Sequence, residues 1–173
     1  MVKGYPKCPI KLNAMSILLR VLSFKRSMVL SILLLLILIV LSFYGMYTNT
    51  FYFTKIDNYI FPILSLIHFT YIYVVWFKIK EKECPDPAMR NLEYVLYLVF
   101  LVYLFRLGES IYILSTYTIY QNHAIPTTFF PLGTVLIGSY ILLLILAFIT
   151  ILHRKKQVGL YNFEQINDRI KYR

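Results

Sequence analysis

Met28 to Tyr47 reads MVLSILLLLILIVLSFYGMY, twenty residues without one formal charge. A helix of that length rises ~30 Å, the thickness of bilayer hydrocarbon. Three more apolar runs follow, about 59–77, 92–116 and 129–152, with the charged residues other than Glu93, Arg106 and Glu109 gathered between and beyond them. Hydrophobic residues make up 59% of the chain, against ~45–50% in a soluble domain. Mean hydropathy is +0.65. The pattern predicts an all-α polytopic membrane protein, a four-transmembrane-helix bundle.

The expected division of the chain is a cytoplasmic basic segment (1–27), the bundle (28–152) and a basic tail (153–173). Leu12, Met15, Leu19 and Leu22 recur at helical spacing, which predicts an interfacial amphipathic helix before the first span. Phe163, Ile166 and Ile170 predict a short surface helix in the tail. The first apolar run is too long for the core of a secretory signal and lacks a small-residue exit, so it is expected to remain as an uncleaved anchor. Asn91 is the expected cap of the third span, after Pro85 and Pro87.

Charge sets the expected orientation. Six Lys or Arg precede the first span, four lie between spans two and three, and six lie after the fourth. The other two loops hold only Lys55, and Arg106 lies within a run. Basic residues collect on the cytoplasmic face, which predicts both termini there. The same distribution argues against nucleic acid as the partner of this +10 chain. The lipid bilayer is the expected partner, with anionic headgroups attracted at ~1 kcal/mol per basic residue near the surface. Another integral membrane protein or a second copy is expected as well.

Cys8 and Cys84 would then face a reducing compartment and remain thiols. Both lie near the expected membrane surface, so either is a candidate for palmitoylation. No cysteine–histidine spacing suggests a metal, and no cofactor is implied. Phosphate-binding glycine loops, H-E-x-x-H and G-x-S-x-G are absent, so the sequence offers no basis for an enzyme.

The residues that stand out are ionisable groups inside the third run. A charge at the bilayer centre costs about 2.5–3.5 kcal/mol. Arg106 and Glu109 lie three apart, on one helical face, and are expected to pair. Tyr103 and Ser110 flank Arg106 on that face, and His68 lies in the second span. An antiparallel hairpin of spans two and three puts His68 level with about Leu101, ~7 Å short of Arg106. These five residues form the expected intramembrane polar cluster. In the fourth span, Gly133, Thr134 and Gly138 make a small-residue patch suited to close helix packing.

The leading expectation is a non-enzymatic accessory or scaffold subunit acting through helix contacts. The alternative is a small transporter or channel component using Arg106, Glu109 and His68. The last five residues, Arg169 to Arg173, resemble dilysine retrieval signals, with arginine in place of one lysine. The four-span layout is similar to that of the lysosome-associated four-span and MARVEL-type proteins, a likeness of topology that implies no activity.

Overall fold

The computed structural model describes residues 23–120, 125–159 and 161, apart from the side chains of 118 and 120. Four helices carry the fold: α1 (Phe24–Ser42), α2 (Ile60–Glu81), α3 (Pro87–Ser115) and α4 (Phe129–Gln157). All four are long and apolar enough to cross a membrane. They pack in sequence order around a ring, closed by α1 against α4, with α2 and α4 meeting more narrowly across the middle. The terminal helices proposed from Leu12–Leu22 and Phe163–Ile170 lie outside the described residues, as do Cys8 and the Arg169–Arg173 motif.

Helices α1 and α2 each bury one stripe. On α1 it is Phe24, Ser27, Ser31, Leu34, Leu35 and Leu38; on α2 it is Phe61, Ser65, His68, Tyr71, Ile72 and Val75. Both follow the three-and-four spacing of one helical face. The buried stripes are the more polar ones. Ser27, Ser31, Ser65 and His68 are fully enclosed, while Val29, Leu33, Leu36 and Val40, and Ile63 and Leu66, face outward. Water would select the reverse arrangement. The exposed Thr70 and Thr134 donate to the carbonyls of Leu66 (2.8 Å) and Phe130 (2.9 Å), their own helix's fourth residue back. That bond satisfies a hydroxyl without solvent.

The helix ends differ from the sequence expectation. The first span was expected to run from Met28 to Tyr47. Helix α1 instead starts at Phe24 and stops at Ser42, and the chain forms a two-stranded antiparallel hairpin, β1 (Tyr44–Gly45) and β2 (Thr50–Phe51). Apolarity alone cannot separate helix from strand over so short a segment, and Phe43-Tyr44 and Phe51-Tyr52-Phe53 suit strands. Their rings interlock: Tyr44 lies 5.3 Å from Phe51 and Phe43 4.9 Å from Tyr59, edge to face. Gly45 lets the Tyr52 ring pack closely here, since a Cβ would sit 2.5 Å from that ring and displace it. The expected boundaries at 27/28 and 152/153 fall inside α1 and α4.

Asn91 is not the cap of α3. Asp86 is, accepting from the Met89 N–H at 2.8 Å, with Pro87 as the first helical residue. Proline there loses no helical hydrogen bond. Asp86 also meets Lys78 at 2.9 Å, tying the start of α3 to the end of α2. Partial burial works against the Asp86 carboxylate, but the hydrogen bond from Lys78 and that from Met89 prevail and hold its pKa below the ordinary value. Its stabilising effect is complete above the ordinary carboxylate range and is lost as pH falls through the folded-state value. Asp86→Ala should therefore lower stability by ~1 kcal/mol. Asp86→Asn keeps the cap and should lose less, as thermal unfolding of the purified protein in detergent at neutral pH would register.

Candidate functional site

The ionisable residues of α3 divide between the two ends of the bundle. Towards the hairpin end, Arg106 Nη1 donates to Glu109 Oε2 at 2.7 Å, the pairing expected from their spacing. Arg106 Nη2 donates to the Asp57 carbonyl at 3.1 Å, linking α3 to the connection before α2. The pair is only partly enclosed, with 23% of the Arg106 side chain and 41% of Glu109 exposed. It lines a cavity of about 830 Å³, with Lys55, Asp57 and Asn58 from the hairpin connection and Phe61, Leu136 and Tyr140 from the helices. The pair thus lies beneath the hairpin, Arg106 nine and Glu109 six residues before the end of α3.

His68 and Tyr103 belong to a different setting. Both are fully buried, and the Tyr103 hydroxyl lies 3.5 Å from His68 Nδ1. The antiparallel register is therefore close to the one expected, with Tyr103 in the place assigned to Leu101. Tyr103 packs on Phe61 (5.3 Å), which packs in turn on Tyr140 (5.7 Å). His68 Nε2 has no hydrogen-bond partner among the described residues. The hydrogen bonds of the Arg106 guanidinium go to Glu109 and Asp57. Ser110 is on the expected face, but its hydroxyl donates to the Arg106 backbone carbonyl at 2.8 Å. The five expected residues thus form two groups rather than one network.

Among the described residues the most enclosed charges are at the opposite end, and sequence reasoning missed their pairing. Arg154 Nη2 donates to Glu93 Oε1 at 2.5 Å, with side-chain exposures of 2% and 3%. Tyr97 donates to the same oxygen at 2.7 Å, and Tyr161 donates to Oε2 at 2.8 Å. The Arg154 guanidinium lies 4.5 Å from the centre of the Tyr161 ring, and its Nη1 donates to the Gly159 carbonyl at 3.1 Å. Gly159 adopts the left-handed φ of 112° that turns the chain back over the end of α4. Glu93 is the seventh residue of α3 and Arg154 the fourth from the end of α4. In neighbouring antiparallel helices those positions share a level, and this is the signal that could have found them. Arg154 was instead grouped with the exposed basic tail.

The small patch of α4 is also divided. Gly133 is buried against α3, where an added Cβ would meet Leu114 Cδ1 at 2.9 Å. Thr134 and Gly138 face outward, and a Cβ on Gly138 would meet nothing within 4 Å. Cys84 is a half-buried free thiol in the connection between α2 and α3. Comparison with models of known families, with characterised proteins and with solved structures finds no match.

Two stability experiments follow. Arg154→Leu leaves Glu93 enclosed without its cation and should cost ~3–5 kcal/mol, with much of that restored in the double variant Arg154→Leu/Glu93→Leu. The same cycle on Arg106 and Glu109 should give a coupling below ~1 kcal/mol, because that pair is partly open. Equal couplings from chemical denaturation in mixed micelles would contradict the difference in enclosure. Separately, Gly133→Ile should destabilise by ~1–3 kcal/mol through overpacking, while Gly138→Ile should leave the melting temperature of the isolated protein unchanged.

Proposed function

We propose that this chain is an integral membrane protein with both termini in the cytoplasm. On this reading it is a non-enzymatic accessory or scaffold subunit that contacts another membrane protein through its helices. The observation carrying the reading is the outward face of α3. Tyr94, Leu98, Leu101, Phe105, Gly108 and Tyr112 recur at three-and-four spacing, and the five large side chains are 57–71% exposed. Gly108 presents open space between Phe105 and Tyr112, towards the hairpin end of the stripe. Aromatic side chains flanking a glycine suit close helix–helix packing in hydrocarbon. The bundle also spends its enclosed charges on its own architecture, in Glu93 and Arg154.

Affinity purification in mild detergent is expected to recover a stoichiometric membrane partner, and Gly108→Ile should release it. Recovery of monomers or self-oligomers alone, from both forms, would contradict the reading.

A second reading, a small transporter or channel component, draws support from the cavity beside Arg106 and Glu109. It predicts that Glu109→Gln and His68→Ala change a flux or its pH dependence at normal protein levels. Loss of the protein itself in both variants would mark these residues as architectural.

A further inference from the structure

We infer that the cavity under the hairpin is a binding site for a zwitterionic phospholipid, holding its phosphodiester on the free N–H groups of Arg106 and its ammonium against the second carboxylate oxygen of Glu109, with the start of an acyl chain below. The inference uses the membrane placement proposed above but neither of the two functional readings.

Three features select this ligand. The volume, about 830 Å³, lies within the ~300–1,000 Å³ of small-molecule sites. Its walls are of two kinds. Phe61 and Leu136 form apolar wall, whereas Lys55, Asp57, Arg106 and Glu109 supply charge. The charges balance, two of each sign. A purely anionic ligand would meet Asp57 and Glu109, and a purely cationic one would meet Lys55 and Arg106. A molecule carrying one charge of each sign can pair with both. The donors and acceptors needed are present. Arg106 commits Nη1 to Glu109 and Nη2 to the Asp57 carbonyl, which leaves several of its five N–H groups for phosphate oxygens. Glu109 meets Arg106 through Oε2, so its second oxygen can receive an ammonium. The ends of bilayer-spanning helices lie at headgroup level, where such a ligand is abundant.

The test is thermal unfolding of the delipidated full chain in dodecyl maltoside, titrated with three probes. Dihexanoyl phosphatidylcholine has headgroup and tails, glycerophosphocholine has the headgroup alone, and dihexanoyl phosphatidylglycerol has the tails with a purely anionic headgroup. The phosphatidylcholine should raise the midpoint saturably, and its apparent affinity should fall about tenfold in both Arg106→Gln and Glu109→Gln. Glu109→Gln, at a partly exposed position, serves should Arg106→Gln fail to fold. Lys80→Gln, at the other end of the bundle, should titrate like the parent protein. An equal shift from phosphatidylglycerol would overturn the zwitterion, and an equal shift from glycerophosphocholine would overturn the tail. Identical titrations for the parent and Glu109→Gln would overturn the site.

Discussion

A polar side chain inside a long apolar helix has to be met by protein rather than by water, and this requirement shapes the bundle. It turns Ser27, Ser31, Ser65 and His68 inward and leaves valine, leucine and isoleucine outside. Of the three serines only Ser65 gains a hydrogen bond, to the Pro62 carbonyl at 2.6 Å, and the Ser27 and Ser31 hydroxyls are enclosed without a partner among the described residues. It makes exposed Thr70 and Thr134 bond back to their own helices. Outside the α3 stripe around Gly108, the outward faces need no specific partner if hydrocarbon is the solvent, and all of them would be a severe aggregation hazard in water. The proposed membrane placement rests on that inversion more than on the length of the apolar runs.

The two ends of the bundle meet the requirement differently. At the basic end, Glu93 and Arg154 are closed on each other and covered by Tyr97 and Tyr161. Desolvating such a pair is costly, so its contribution lies in fixing one arrangement more than in net stability. Because Tyr161 and the Gly159 carbonyl complete the cluster, it also fixes how the chain leaves α4. At the hairpin end the charges are half open and line a cavity. The closed pair is architecture, and the open pair is the one placed to meet something else.

Much of the architecture was legible in the sequence, because apolar length and charge clustering are nearly one-dimensional signals. They found four helices, and the spacing of Arg106 and Glu109 found their ion pair. Helix ends were less legible. The segment from Phe43 to Tyr47 continues the uncharged run of the helix before it, and the polar first turn of α3 hides a helix start that Asp86-Pro87 announces more clearly than Asn91. The tertiary register was legible only in part. A single hairpin alignment placed His68 level with about Leu101, two residues from the Tyr103 that it meets, but whether Arg106 leans toward His68 or toward Asp57 depends on the hairpin connection, whose fold was not foreseen. Glu93 and Arg154 are sixty-one residues apart, and only the adjacency of α3 and α4 brings them together.

Orientation is the claim on which the proposed function and the ligand site both depend, and sidedness can be measured directly. In a chain lacking Cys8 and Cys84, Ala88→Cys reports on the exposed first turn of α3, and Thr54→Cys on the exposed connection beside the hairpin. In sealed right-side-out vesicles, a membrane-impermeant maleimide should label Thr54→Cys at once and Ala88→Cys only after permeabilisation. Labelling of both positions from the same side before permeabilisation would contradict the proposed placement of the bundle.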